Sequence, residues 1–146
     1  MAITDVFADI PRVYVDSNIF IYCMEDQGEL GRLTTNAIEY LSAGGKTLVT
    51  SELSLTECLF GPRKSGKDEL AGLYVRLLTE WEIVQLVPAV QPILIGAAEA
   101  GAAAGLKIID AIHFATALAT GCGAFLTNDL RLRPLYGLAD IQLSEL

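Results

Sequence analysis

Histidine is almost missing from this chain. His113 is the only one, so there is no second imidazole for a His-rich metal site. Cysteine is sparse too. Cys23, Cys58 and Cys122 are an odd number and show no C-x-x-C spacing, which argues against a disulfide framework or a zinc site. Reduced thiols fit a reducing compartment, and the cytoplasm is the expected location. Positive charge is scarce: 10 basic residues face 18 acidic ones, for a net charge of −8. That balance opposes a simple electrostatic DNA binder. It leaves open a nucleic-acid enzyme whose site carries cations. No apolar run reaches the roughly 18 residues of a membrane span. The richest stretch, Ile93 to Gly105, is broken by Glu99 and by glycines. The first twelve residues, MAITDVFADIPR, carry two acids and no basic region ahead of an apolar core, so no secretory signal is expected. Internal repeats, low-complexity segments and dividing linkers are also lacking.

What remains reads as one domain spanning residues 1–146, with residues 1–12 as a possible N-terminal arm. A hydrophobic content of 52% is ample for a sizeable core at this length. Val13-Tyr14-Val15, Thr47 to Thr50, Glu82 to Val87, Ala124 to Thr127 and Asp140 to Leu143 read as short strands. Between them lie helical patterns: one or two turns from Ile19, then Leu30 to Ala43, Ser51 to Phe60, Glu69 to Thr79, Val90 to Ala104, and a helix opened by Asp110. Gly44-Gly45, Gly61-Pro62, Gly105 and Gly121 punctuate them. Leu70, Leu73, Leu77 and Leu78 form an expected core stripe. Strands alternating with helices predict an α/β fold in three layers, with a short, mostly parallel sheet flanked by helices.

Chemistry concentrates in four acids. Asp16 ends the first strand, Asp110 opens a helix, and Asp129 follows the fourth strand. Glu57 lies on the helix after the second strand. The carboxyl ends of parallel strands share one edge of the sheet, which is where such folds bind ligands. Each acid also has a purely structural reading. Asp16 and Asp110 can be helix N-caps. Asn128-Asp129 is a common turn pair. Ser54-Leu55-Thr56-Glu57 matches a capping box. A helix starting at Thr50 or Ser51, however, leaves Glu57 mid-helix among apolar neighbours, where an acid must be paired or metal-bound. Clustered carboxylates raise one another's pKa unless a hard cation neutralises them. Mg2+ or Mn2+ suits oxygen ligands, and one such ion, or a pair about 3.5–4 Å apart, can hydrolyse a phosphodiester. His113 lies one turn after Asp110; a satisfied structural role is favoured over ligation.

Val15-Asp16-Ser17-Asn18, Thr56-Glu57, Ile109 to Ala117 and Leu126-Thr127-Asn128-Asp129 together resemble the PIN-domain family, and within it the VapC-type ribonuclease toxins of prokaryotic toxin–antitoxin pairs. The resemblance runs from about Val13 to the C-terminus. It implies helices around a short parallel sheet and a Mg2+- or Mn2+-dependent endoribonuclease acting on RNA. Asp16, Glu57, Asp110 and Asp129 match the family's acidic quartet. Asp16 and Asp110 are implied as direct ligands, with Glu57 and Asp129 completing the site directly or through water. Ser17 stands where threonine is commoner and keeps the hydroxyl. Asn18 and Asn128 are implied to orient acids or waters. A homodimer and a cognate antitoxin protein are also implied, with the helices from Leu30 to Leu78 as the dimer's candidate surface.

Arg63, Lys64 and Lys67 form a basic loop, and Arg131 and Arg133 flank the last acid. They read equally as a solvated face or as phosphate contacts to RNA. Three other functions fit the sequence less well. A non-catalytic PIN-fold module binding RNA or protein is disfavoured because all four acids are present. A haloacid-dehalogenase-like phosphatase needs an acid two residues after Asp16, where Asn18 cannot supply a proton. A dinucleotide site lacks the G-x-G-x-x-G spacing after a first strand.

Overall fold

The structure is a computed structural model and describes residues 6–129, 131–132 and 139–142. Among these residues, five strands and six helices follow in order: β1 (Arg12–Val15), α1 (Ser17–Glu25), α2 (Glu29–Ala43), β2 (Thr47–Ser51), α3 (Leu53–Lys64), α4 (Asp68–Thr79), β3 (Gln85–Val87), α5 (Gln91–Ala104), α6 (Ile108–Ala119), β4 (Ala124–Thr127) and β5 (Ala139–Gln142). The sheet order is β3-β2-β1-β4-β5. All four pairings are parallel, so the sheet is more regular than the mostly parallel one expected.

The strands are short runs of β-branched, aromatic and small apolar residues, which pack well on a pleated surface. Their period of two splits the core. Val13, Val15, Leu48 and Leu126 point to one face, where they meet Phe20, Ile38, Leu41, Tyr74 and Leu77 from α1, α2 and α4. Tyr14, Val49 and Phe125 point to the other, against Ile93, Ala97, Ala111 and Phe114 from α5 and α6. Phe125 is fully buried and stacks on Phe114 at 4.3 Å and on Tyr14 at 5.0 Å between ring centroids. Each such aromatic pair adds about 0.5–1.5 kcal/mol beyond its buried area. Gly101 sets the approach of α5 to α6, because a Cβ there would lie 2.9 Å from that of Ala111. The small residue thus seats the first turn of α6, and with it Asp110, close to the sheet.

After β1 the chain moves outward through β2 and β3, then returns to place β4 on the other side of β1. β1 and β4 therefore flank the topological switch point, whose crevice lies beyond the carboxyl ends of the strands.

Several boundaries differ from the sequence reading. The third helix does not close at Gly61-Pro62; it runs to Lys64 with Pro62 inside it and buried. A proline forfeits one helical hydrogen bond. Here the ring is packed in the interior, and the amides of Ser65 and Lys67 take up the carbonyls of Gly61 and Pro62. On α4 the buried stripe is Ala71, Tyr74, Leu77 and Leu78, rotated from the leucine pattern by Tyr74. β3 holds only three residues, not the six read from Glu82. In the expected arm, Phe7 is fully buried and its carbonyl accepts from Lys46 Nζ at 2.8 Å, which ties residues 6–10 to the body. The turn around Pro134 and the strand end at Leu143 lie outside the described residues.

Large exposed apolar side chains are Phe60, Trp81, Val90, Leu94, Ile95, Ile108 and Ile109. Only Phe60 falls between Leu30 and Leu78; most of the rest lie on α5, α6 and the loop before them. A groove of about 450 Å³ between those two helices is lined by Pro92, Ile93, Ala115 and Leu118, among others. Among the described residues no single helix is long and apolar enough to cross a membrane.

Candidate active site

Asp16 is the residue at which β1 becomes α1. It is the N-cap of that helix, as its structural reading held, with Oδ1 accepting from the Ser17 amide at 2.9 Å. Capping uses only one oxygen. Oδ2 accepts from the Thr127 hydroxyl at 2.7 Å and from Asn18 Nδ2 at 3.3 Å. Thr127 ends β4, so the bond ties the two strands across the switch point. The Thr127 hydroxyl in turn accepts the Asp129 amide at 3.0 Å, and Asn18 Oδ1 accepts the Asn128 amide at 3.4 Å. Asn128 Nδ2 reaches the Tyr22 hydroxyl at 3.3 Å. Asp16, Ser17, Asn18, Asn128 and Asp129 thus form one connected cluster. Burial pushes the Asp16 carboxyl above its ordinary range, against the pull of His113 and the Thr127 hydroxyl; nearby Glu57 adds to the rise.

Asp110 does not cap its helix. The N-cap of α6 is Lys107, and Asp110 sits in the first turn, where the helix dipole favours an anion. The sequence reads Asp110 as a cap, but Lys107 takes that place. Partial burial raises its pKa first and the Asp129 charge second, which puts those two acids within electrostatic reach of one another.

Glu57 is mid-helix on α3 and accepts from His113 Nε2 at 2.5 Å. The capping-box reading of Ser54 to Glu57 fails because α3 begins at Leu53. His113 Nδ1 meets the Tyr14 hydroxyl at 2.5 Å, and the Tyr14 oxygen accepts from the Ser51 amide at 3.0 Å. His113 Nε2 also stands 4.0 Å from Asp16 Oδ1. Burial disfavours the imidazolium, but the Glu57 bond and the charges of Asp16 and Asp110 outweigh it, so the His113 pKa is raised. Burial drives the Tyr14 hydroxyl far upward, keeping it neutral.

Asp129 is engaged by Arg131. The guanidinium donates from Nε at 3.0 Å and from an Nη at 2.7 Å, and the Arg131 amide adds a third bond at 3.0 Å. The pair holds the Asp129 pKa below its ordinary value, and Lys107 pulls the same way. Among the described residues no three acidic, histidine or cysteine side chains converge closely enough to hold a metal ion. Glu57 is bonded to His113 and Asp129 to Arg131. The donor set still suits a hard cation: carboxylate oxygens predominate, and Asp16 and Asp110 carry raised pKa values that a divalent ion would relieve.

The basic residues divide. Arg131 stands in the cluster. Arg63, at the end of α3, pairs with Asp68 at 3.0 Å. Lys64 and Lys67 are exposed beside it, and no bond links these three to the acids. Arg133 lies outside the described residues. Sequence reasoning passed over Tyr14, Thr127 and Lys107. Thr127 was legible as part of Thr-Asn-Asp, and Lys107 as the residue before the helix that carries Asp110.

A parallel sheet with helices on both faces and Asp16 at its switch point defines an α/β fold of the class whose ligands bind at that edge. The model of one family, the PIN domain, matches residues 13–138, and the chain belongs to the PIN-domain family. No curated protein matches it in sequence. Among solved structures it is similar to VapBC2 from Rickettsia felis bound to a DNA fragment from their promoter, at 19% identity and a TM-score of 0.70, covering 90% of this chain and 98% of that one. DNA-bound VapBC from Salmonella typhimurium is similar at 15% identity and 0.66, covering 90% and 98%. Mycobacterium tuberculosis VapC20, a sarcin–ricin loop cleaving toxin, follows at 14% identity and 0.63, covering 77% and 86%. At these identities the likeness establishes the fold.

Proposed function

We propose that this protein is a Mg2+- or Mn2+-dependent endoribonuclease, the toxin of a type II toxin–antitoxin pair. It works in the cytoplasm as a single-domain homodimer and is silenced by a cognate antitoxin protein. The observation that carries this reading is the hydrogen-bonded cluster of Asp16 and Asp129 at the β1–β4 switch point, with Asp110 under the influence of the Asp129 charge and Glu57 one histidine away. The similar fold of VapC20, a sarcin–ricin loop cleaving toxin, supports RNA as the substrate class. The VapBC complexes support an antitoxin partner.

Asp16 and Asp110 would hold the cation directly, with Glu57 and Asp129 completing the set directly or through water. When bound, the ion supplies Lewis-acid activation of water and neutralises charge at the phosphodiester. Ser17 and Asn18 orient Asp16; Asn128 braces the turn that carries Asp129. Arg131 and Lys107 offer phosphate contacts beside the acids. Arg63, Lys64, Lys67 and Arg133 offer further ones, positioning RNA without reading its sequence. For the dimer, the exposed apolar residues of α5 and α6 are a better surface than the Leu30–Leu78 helices.

The test is cleavage of a mixed RNA panel with Mn2+ or Mg2+, comparing the wild type, Asp110→Asn, and the wild type in EDTA. Cleavage confined to metal-supplied wild type is the expected result. Undiminished cleavage by Asp110→Asn sinks this assignment of the site. One observation favours a second reading, a non-catalytic PIN-fold module that binds RNA or protein: two of the four acids are already bonded to His113 and Arg131. Calorimetric titration with Mn2+ separates the two readings, since a module without turnover has no need of the ion.

A further inference from the structure

We propose that His113 is a positioning residue that fixes Glu57 for cation binding, and that Tyr14 fixes His113. The inference deepens the metal-dependent reading and rests on it.

Glu57 is the one acid of the four on α3, and it projects from mid-helix rather than from a strand end. A glutamate there has three rotatable side-chain bonds, and an anion beside apolar Cys58 and Leu55 needs a partner. Its partner is His113, at 2.5 Å from Nε2. A carboxylate only accepts, so Nε2 must carry a proton and donate. On the far side of the ring Nδ1 meets Tyr14, whose oxygen already accepts from the Ser51 amide at 3.0 Å. The ring is therefore gripped at both nitrogens and cannot turn to present Nδ1 to Glu57.

Tyr14 is itself immobile. It is fully buried, stacked on Phe125 and set edge-on to the His113 ring at 5.6 Å. The order Ser51 – Tyr14 – His113 – Glu57 thus runs from the end of β2, through β1 and α6, to α3. It carries the rigid geometry of the sheet to an acid that the sheet does not hold directly. Asp16 is held directly by β4 through Thr127. Glu57 obtains the equivalent reference through an imidazole. Partners of this kind behind metal-binding carboxylates typically govern affinity by about 10–100-fold.

The side chains that imitate each nitrogen separate this role from packing. Glutamine carries its amide nitrogen as many bonds from Cβ as Nε2 stands along the ring edge, so it can still donate to Glu57. Asparagine imitates Nδ1 and cannot reach. Leucine fills the space without a donor. Calorimetric titration of the metal-free chain with Mn2+ should find His113→Gln close to wild type, with His113→Asn and His113→Leu weaker by about 10–100-fold. Thermal unfolding would check that all three fold. A second readout needs no metal. As His113 is the only histidine, its two nitrogens give the sole imidazole signals in a 15N spectrum. A protonated, slowly exchanging Nε2 should appear there, and Glu57→Gln should shift it.

Outcomes for the two readings are distinct. If the wild type binds no Mn2+, the metal-dependent function falls and this inference falls with it. If the wild type binds and Glu57→Gln weakens binding, but folded His113→Asn and His113→Leu bind as wild type, only the inference is overturned. An unprotonated Nε2 overturns it too.

Discussion

Replacing Tyr14 with phenylalanine removes one oxygen from the centre of the molecule and nothing else. The ring, its stacking on Phe125 and the packed volume all remain, so no cavity term arises. Two partners lose their bond: the Ser51 amide at 3.0 Å and His113 Nδ1 at 2.5 Å. Both residues are buried, at 0% and 1% exposure, so water does not replace the oxygen cheaply. A buried polar group left unsatisfied costs about 1–3 kcal/mol, and two cost about 2–6 kcal/mol together. That is a large share of the roughly 5–15 kcal/mol that holds a domain folded.

The assay is equilibrium unfolding in urea, with slopes of about 1–3 kcal/mol per molar. The midpoint should fall by roughly 1–2 M with the slope unchanged. Tyr40→Phe, at a half-buried position on α2, is the control and should cost less than about 0.5 kcal/mol. A Tyr14→Phe cost no larger than the control's would refute the reasoning. It would mean that His113 and Ser51 find other partners, and that the Tyr14 hydroxyl does not anchor the ring.

Two further predictions concern charge. Arg131→Gln frees Asp129 from a guanidinium that competes with a cation. Mn2+ affinity without RNA should rise roughly two- to fivefold, the scale of an exposed ion pair, while the KM for RNA rises; calorimetry showing unchanged or weaker Mn2+ binding contradicts this. The second follows from linkage. The His113 pKa lies above its ordinary 6.5, so its contribution is complete below that value and lost as pH rises through the raised one. Asp16 and Asp110 lie above 3.8, so stability also falls as pH rises from there through their raised values. The Tm of the metal-free protein should therefore decline from mildly acidic to mildly alkaline pH, and Mn2+ should restore it at the alkaline end. A Tm that climbs over that range refutes the assignment.

Much of the architecture could be read from the chain because its signals are local. Val13-Tyr14-Val15 and Ala124 to Thr127 announce themselves as strands, and the acids at their ends follow from where the chain must turn. The departures are places where distant contacts outrank local signals. Gly61-Pro62 reads as a stop, yet α3 continues because Pro62 is buried. Asp110 reads as a cap, yet its helix starts two residues earlier. The bond between His113 and Glu57 joins positions 56 apart, and that between Tyr14 and His113 spans 99. No window along the sequence contains either pair. His113 reads as a satisfied histidine, which it is, but its satisfaction comes in part from one of the four acids.

The same electrostatics set the order in which ligands can arrive at the proposed site. RNA is a polyanion, and this chain carries a net charge of −8. Among the described residues, the cations Arg131 and Lys107 both act on Asp129. Among the described residues Asp16 has hydroxyl, amide and imidazole partners but neither lysine nor arginine, and Asp110 feels Asp129 more strongly than Arg131. These two carboxylates are left largely uncompensated, and their combined charge matches that of one divalent ion. A phosphate approaching Asp110 is repelled until that ion is present, so metal should bind before RNA. Neutralising both acids by substitution should then replace the ion electrostatically, though not chemically. In EDTA and at low salt, the double variant Asp16→Asn, Asp110→Asn should bind a labelled RNA roughly tenfold tighter than the wild type, at about 0.5–1 kcal/mol per removed charge. It should cleave nothing when Mn2+ is added. Equal RNA affinity for the two proteins in EDTA would show that the acids do not face the path of the substrate, and the crevice between β1 and β4 would lose its claim to be where RNA is held.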